Sequence, residues 1–133
     1  MSPLIRPALL CVAAMLCCCA CGSRSTDAVE SAVQDFYAAV SAEDGAAACD
    51  LLVPETRSEL EGDAEVDCES AILEQDLPSI TEVETIEVYG RNARVVLDSD
   101  TAFLTQASAG WELLAAGCVE RRDRPYDCSI SGG

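Results

Sequence analysis

The stretch that decides the fold class reads ITEVETIEVYGRNARVVL over residues 80–97, where apolar and polar residues alternate on either side of Gly90-Arg91. Alternation with a period of two is typical of a half-buried strand, and the Gly-Arg pair indicates a turn between two strands. Further turn signals follow at Asp98–Asp100 and at Ala109–Gly110. The pattern predicts an antiparallel meander over residues 80–117 and a last strand over residues 126–130.

The chain before residue 80 has helical periodicity instead. Asp27 and Glu30 resemble a capping box at the start of a helix over residues 27–40. One apolar stripe follows at helical spacing: Val29, Ala32, Val33, Phe36, Tyr37 and Val40. Shorter helices are predicted from Gly45 to Leu52, from Glu55 to Leu60 after Pro54, and from Cys68 to about Leu77, with Asp67 as cap and Pro78 as end. Helices grouped before antiparallel strands predict an α+β domain over residues 27–133, with the sheet packed on helix 27–40.

Composition excludes several classes of function. The 133 residues include eight arginines, no lysine, no histidine and 24 acidic residues, which gives a formal charge of −16. Without histidine there is no Ser-His-Asp triad and no imidazole proton shuttle, and without lysine there is no Schiff base and no P-loop. The negative charge argues against nucleic-acid binding. Half of the residues are apolar, which is enough for a packed core in one domain.

The first 20 residues have the pattern of a targeting segment. An apolar run of 13 residues extends from Ala8 to Ala20, too short to span a membrane but suited to a signal peptide. Ala20-Cys21-Gly22-Ser23 resembles the cleavage box of bacterial lipoproteins, in which the peptidase cuts before a cysteine that carries diacylglycerol. The resemblance implies a signal peptide over 1–20, palmitate-type acylation of Cys21 and a lipidated tether over 21–26.

Alternatives to this interpretation stay open. Cys19 would be the acylated residue if Leu16 filled the position three residues before it, which Leu occupies in that family. An ordinary secretory signal or a short uncleaved anchor are the other two readings of the segment. A tether of five residues from Gly22 to Thr26 would hold the domain within ~18 Å of a membrane.

The cysteines support export. Nine are present, and five lie at or before position 21. The other four are an even number, as expected for disulfides in an exported chain. Short loops favour the pairs Cys49–Cys68 and Cys118–Cys128 among the three connectivities. No C-x-x-C pair is present, so we predict no zinc site.

Several blocks of residues together resemble a known family. They are Phe36-Tyr37-Ala38-Ala39, Asp44–Cys49, Asp100–Thr105, Gly110-Trp111, Ala115–Cys118 and Pro125–Cys128. In this order they look like small exported lipoproteins of high-GC Gram-positive bacteria with a nuclear-transport-factor-2-like (NTF2-like) fold. The resemblance implies N-terminal helices packed on a curved antiparallel β-sheet that forms a cone. It implies no particular activity, because this fold hosts enzymes, carriers and interaction modules.

Two groups of acidic residues are candidates for chemistry. Asp63, Glu65, Asp67, Glu69 and Glu74 are spaced like the ligands of a calcium loop, but Cys68 stands where that loop needs glycine, so a solvated acidic loop is favoured. Enzymes with the cone fold, of the SnoaL and ketosteroid-isomerase type, use a carboxylate with a tyrosine. That resemblance singles out Tyr37 with Asp98 or Asp100, although a core tyrosine and turn aspartates are the favoured interpretation.

Three aromatic residues, Phe36, Tyr37 and Trp111, are candidates to line a cavity, with a core role favoured for Trp111. The basic run Arg121-Arg122-Asp123-Arg124 lies inside the predicted Cys118–Cys128 loop and is either a solvated loop or a contact for an acidic partner. We therefore expect a non-catalytic binding or interaction module on the outer face of the cell membrane, attached by lipid, without a cofactor or nucleic-acid partner. The first alternative is a small-molecule carrier that uses the cone cavity, and the second is a carboxylate/tyrosine enzyme.

Overall fold

A computed structural model describes residues 20–123 and 125–132, with the backbone alone for residues 20–23. In this part of the chain, four helices precede five strands. The helices are α1 (Ala20–Ser41), α2 (Gly45–Asp50), α3 (Pro54–Ala64) and α4 (Cys68–Leu73). The strands are β1 (Val83–Tyr89), β2 (Asn92–Leu97), β3 (Thr101–Ala107), β4 (Gly110–Val119) and β5 (Asp127–Ser131).

Side-chain caps fix the starts of the short helices. Asp44 accepts a hydrogen bond from the Ala47 N–H at 3.1 Å before α2, and Asp67 accepts one from the Ser70 N–H at 2.9 Å before α4. Each carboxylate satisfies one of the N–H groups that a helix leaves unpaired at its start. Pro54 occupies the first turn of α3, where its missing N–H costs nothing. The predicted cap at Asp67 and the predicted proline start are both confirmed.

Three helix boundaries differ from the prediction, and the first is the end of α3, which extends to Ala64 instead of Leu60. α1 begins at Ala20, so Asp27 lies inside the helix and is not its cap. The small residues before Asp27 include no proline, and the helix continues through them, including the residues predicted as a tether. α4 ends at Leu73 rather than near Leu77. The next two N–H groups, of Glu74 and Gln75, bond to the carbonyls three residues back at 3.2 and 3.3 Å, which closes the last turn. The predicted signal peptide lies outside the described residues apart from Ala20.

The sheet is a meander in which each strand pairs antiparallel with the next, in the order β1-β2-β3-β4-β5. It is not closed, so β1 and β5 are its two edges. The turn at Gly90-Arg91 joins β1 to β2, as predicted. The register between β3 and β4 shifts twice, between Thr101 and Phe103 and between Phe103 and Leu104, which gives β4 extra residues relative to β3.

The core lies between α1 and one face of the sheet, as the two sequence patterns predict. Alternate residues of β2, β3 and β4 are buried, and they meet the apolar stripe of α1. The largest fully buried side chains include Phe36, Leu104, Leu113 and Val33. Side chains therefore fill the space between the helix and the sheet. No helix in the described ranges is both long enough and apolar enough to cross a lipid bilayer.

Helices α2 and α4 are held against each other at close range. A Cβ atom on Gly45 would lie 2.2 Å from the carbonyl oxygen of Glu69, so only glycine permits this approach. The disulfide Cys49–Cys68 joins the same two helices, and Cys118–Cys128 joins β4 to β5. These are the two pairings that the sequence favoured, and they tie the small helices and the last strand to the core.

Candidate functional site

A buried phenol–carboxyl pair joins α1 to the sheet. Tyr37 lies on the apolar stripe of α1, and Asp100 stands directly before β3. The Tyr37 hydroxyl donates a hydrogen bond to Oδ2 of Asp100 and accepts one from the Gly117 N–H at 3.4 Å. Tyr37 is 2% exposed and Asp100 is 8% exposed. Helix, β3 and β4 therefore meet at one hydroxyl group.

The bulged part of β4 supplies the third member of this group. Gly117 has a φ of +65°, a conformation that favours glycine. A Cβ atom there would lie 2.7 Å from Oγ of Ser129 and 2.8 Å from Cδ2 of Leu77. The glycine thus permits both the local bend of β4 and the close packing that brings its N–H to Tyr37.

Burial governs the protonation of the pair. Desolvation raises the pKa of the Tyr37 phenol far above its usual range, and the bond to Asp100 and the charge of Asp100 add to the rise. Desolvation also raises the pKa of the Asp100 carboxyl, although the Tyr37 bond and the Gly117 amide act against it. Oδ1 of Asp100 is buried and has no hydrogen-bond partner within the described residues. Tyr37 is therefore a permanent donor at neutral pH.

A cleft of about 280 Å³, with Tyr37 among its lining residues, lies between α1 and the chain that enters β1. We call it the α1–β1 cleft. Its polar lining residues are three residues of α1 with amide or hydroxyl side chains, a threonine and a glutamate, and its apolar lining residues include Ile80 and Val83. The lining residues are Gln34, Tyr37, Ala38, Ser41, Ile80, Thr81, Glu82 and Val83.

Asp98 holds one wall of the cleft in place. Its Oδ2 accepts a hydrogen bond from Oγ1 of Thr81 at 2.6 Å, and its Oδ1 accepts one from the Thr81 N–H at 3.2 Å. The Asp98 N–H in turn donates to the Glu82 carbonyl at 3.1 Å. Hydrogen bonds from Thr81 hold the pKa of Asp98 below its usual value. The two aspartates of this turn thus have different surroundings, one solvated and one buried.

The structure separates the three aromatic candidates for cavity lining. Tyr37 lines the α1–β1 cleft. Phe36 and Trp111 pack in the hydrophobic core, where they are 0% and 9% exposed. Consecutive residues of a helix point about 100° apart, so Phe36 faces the core while Tyr37 reaches the cleft.

The spacing that resembles a calcium loop is divided between two helices. Asp63 lies in α3, Glu65 is at the C-terminal end of that helix, and Asp67 caps the start of α4. Among the described residues, no group of three or more cysteine or acidic side chains is placed to hold a metal ion. Asp67 therefore has a structural role as a helix cap, and its hydrogen bonds with Ser70 lower the pKa of its carboxyl.

The end of the loop that contains the basic run packs on the outer face of the sheet. Arg121 forms an ion pair with Asp127, and Arg124 lies outside the described residues. At the end of the loop, the Tyr126 ring packs edge-on against Phe103, with 4.9 Å between ring centroids. Its hydroxyl accepts a hydrogen bond at 2.7 Å from Arg94. One arginine of the run is thus used within the fold.

Two other cavities contain charged groups that form ion pairs. The cavity of about 430 Å³ beside the Cys49–Cys68 disulfide contains Asp50 and Arg57, which form an ion pair at 3.4 Å. Another of about 500 Å³ lies along β4 and β5 and contains the Arg121–Asp127 pair. In each of these two cavities the opposite charges are paired. Glu82 in the α1–β1 cleft, by contrast, is in no ion pair that the described residues form.

The sequence suggested Tyr37 with either Asp98 or Asp100 and gave no basis for choosing between the two aspartates. Tyr37 and Asp100 are 63 positions apart in the chain, and their contact depends on how α1 packs against the start of β3. Sequence patterns also missed Gly117, whose only signal was a glycine inside an otherwise apolar strand.

Comparison with known proteins identifies no relative: no family model, no curated protein and no solved structure matches the chain. The function has to be argued from the chemistry of the residues themselves.

Proposed function

We propose that the protein is a lipid-anchored module on the outer face of the cell membrane that binds a partner without catalysis, with the α1–β1 cleft as its binding site. The apolar run before Cys21 and the cleavage box support export and acylation. The pairing of Cys49, Cys68, Cys118 and Cys128 in two disulfides supports an oxidising compartment. Helices packed on one face of an open, bulged antiparallel sheet are compatible with the NTF2-like type.

One observation carries the choice of binding over catalysis. The Tyr37 hydroxyl is used twice, as donor to Asp100 and as acceptor from Gly117. A general acid or base must reach the reacting atoms directly or through one water. In this arrangement the Tyr37 hydroxyl and the Asp100 carboxyl are hydrogen-bonded to each other, and their bond joins α1 to the sheet.

A carboxylate/tyrosine enzyme is the second candidate, because Asp100 is buried beside a tyrosine and has one unpartnered oxygen. It would require the cleft to open as far as Asp100. The carrier that uses the cone cavity has less support, since core side chains fill the space between α1 and the sheet.

Intact mass of the protein from the membrane fraction tests the anchoring. We expect a chain that begins at Cys21 and carries acyl groups, and reduction should add the four hydrogens of two disulfides. A chain that begins at Met1, or one without acyl mass, would contradict the proposed location. Acylation that persists in Cys21→Ser would move the lipid to another cysteine.

Amide spectra of the ¹⁵N-labelled full chain test the binding role. A panel of basic, neutral and acidic peptides and small amphipathic molecules would be added in turn. Saturable shifts in the amides of residues 34–41 and 80–83 are expected for at least one member. A panel that leaves these amides unchanged while another surface responds would refute the choice of cleft.

A further inference from the structure

Strand β1 leaves one row of backbone groups unpaired. It spans Val83–Tyr89 and pairs only with β2 among the described residues, which places it at an edge of the sheet. An edge strand presents N–H and C=O groups that can pair with another extended chain. No proline interrupts these seven residues, and the register with β2 is regular from Thr85 to Tyr89, so the template for pairing is continuous over that part of the strand.

The side chains of β1 divide between the core and solvent. Ile86 and Val88 pack against the core, while Glu84 and Glu87 are exposed and Tyr89 is 53% exposed. The strand is therefore anchored to the domain by its apolar side chains. Its outer edge and charged side chains stay accessible to a partner.

The α1–β1 cleft begins where this edge begins. Val83 is both the first residue of β1 and a wall of the cleft, and Glu82 precedes it. The volume of about 280 Å³ is below the range of about 300–1,000 Å³ for sites that hold a whole small ligand. The cleft fits one long side chain of a peptide that lies along β1. Peptides that add a strand commonly gain affinity from the backbone and specificity from such pockets.

The charges at this edge select a basic partner. Within the described residues, neither Glu82 nor Glu84 forms an ion pair, and none of the residues that line the cleft is basic. Glu87 is already paired with Arg94 at 2.7 Å. Glu82 thus offers a free carboxylate in the cleft and Glu84 offers another on the exposed side of β1, and cationic side chains would neutralise them.

The same charges disfavour a second copy of this chain. Each copy has a formal charge of −16, and like charges placed opposite each other destabilise strand pairing. The register shift between Val83 and Thr85 also distorts the edge at its start. Both features are used by natural sheets against self-association, yet neither prevents pairing with a chain of opposite charge.

We propose that β1 receives an extended basic peptide segment as an added strand, with one arginine or lysine side chain in the α1–β1 cleft against Glu82. This rests on the proposed function as a binding module and names the class of its partner. The bound segment pairs its backbone with β1 and places its cations against the free carboxylates.

The test uses the acylated protein isolated from the membrane fraction, purified in a non-ionic detergent with both disulfides formed. Three labelled peptides are compared: a decapeptide of alternating arginine and valine, its counterpart with glutamate for arginine, and the basic peptide N-methylated at alternate residues. Only the unmodified basic peptide should bind, and its affinity should fall as salt is added. Binding should slow hydrogen exchange of amides within Val83–Tyr89.

Matched variants locate the contact. Glu82→Gln should weaken binding about two- to fivefold, the range for one exposed ion pair. Glu59→Gln is the control, since Glu59 is an exposed residue of α3 beside the opposite edge of the sheet and should leave affinity unchanged. Both variants keep the side-chain size and remove one negative charge. Equal losses in the two would reduce the effect to overall charge and overturn the site.

Other results separate this inference from the proposed function. Equal binding of the N-methylated peptide would exclude strand addition. Binding of the glutamate peptide alone would overturn the basic class and leave the binding module in place. If no peptide bound but a small amphipathic molecule shifted the cleft amides, the strand proposal would fail and the cleft would stand. If neither occurred, both proposals would fail.

Discussion

At the scale of single residues, the Tyr37 hydroxyl is the main link between α1 and the sheet. It joins a helix, the start of β3 and the bulge of β4 through two hydrogen bonds. A buried polar group that loses its partner costs more than the bond itself is worth, because it cannot return to water. The same group that could suggest catalysis thus has a structural role that can be measured.

Tyr37→Phe tests this role. It leaves Asp100 and the Gly117 N–H without their shared partner, so we expect a loss of about 1–3 kcal/mol in the free energy of unfolding. Urea denaturation measures it. Tyr89→Phe is the matched control, since Tyr89 is 53% exposed and should lose almost nothing. Equal stability of the two variants would show that the buried bonds contribute nothing net.

The two aspartates of the β2–β3 turn should respond to pH in opposite directions. Burial raises the pKa of Asp100 in the folded state above its unfolded value, so its contribution to stability is present below about pH 4 and is lost as pH rises through the folded pKa. Thr81 lowers the pKa of Asp98, so its contribution is present at neutral pH and is lost as pH falls through the folded pKa.

Unfolding free energies of Asp100→Asn and Asp98→Asn between about pH 3 and pH 7 check this. Relative to the parent chain, Asp100→Asn should improve as pH rises, because asparagine still accepts the Tyr37 bond and carries no buried charge. Asp98→Asn should worsen over the same range. Parallel pH profiles for the two variants would mean that their surroundings do not differ as the contacts indicate.

At the scale of elements, the sequence predicted what is local. The turns at Gly90-Arg91 and Ala109–Gly110, the strands around them and the cap at Asp67 all follow from a few neighbouring residues. The predicted start of α1 at Asp27 was wrong, because a capping motif is only a preference and the helix already begins at Ala20. The bulges of β4 and the Tyr37–Asp100 pair depend on register between distant segments, for which periodicity holds no signal.

Gly117 in β4 and Gly62 in α3 test how the backbone conformation of each element determines the effect of an added methyl group. Gly117→Ala forces a side chain into a positive φ and against Ser129 and Leu77, so we expect a loss of at least about 1–3 kcal/mol. Gly62 lies in α3 with nothing within 4 Å of an added Cβ. Gly62→Ala should therefore gain about 0.5–1 kcal/mol from helix propensity.

Thermal and urea denaturation of both glycine variants decide the point. Opposite signs are expected for the same chemical change, one added methyl group. A Gly117→Ala variant as stable as the parent would show that the bulge can be rebuilt without glycine, and then the Gly117 N–H would not be fixed toward Tyr37.

At the scale of the whole molecule, the net charge would oppose the attachment that the proposed lipid provides. After the predicted cleavage, seven arginines remain against 24 acidic residues, a formal charge of −17. Anionic lipid repels such a body within a Debye length of about 8–10 Å. The proposed acyl chains must therefore supply all of the attachment.

Removal of the ester-linked chains tests this balance. Two or more acyl chains give stable attachment, whereas one gives only marginal binding. High salt should leave the untreated protein on the membrane, because salt screens a repulsion and removes no attraction. A lipase that cleaves the esters should release the domain, with a membrane-spanning protein of the same preparation as control. Release by salt alone, or tighter rebinding to anionic than to neutral vesicles, would mean that a positive surface on the folded domain holds it there.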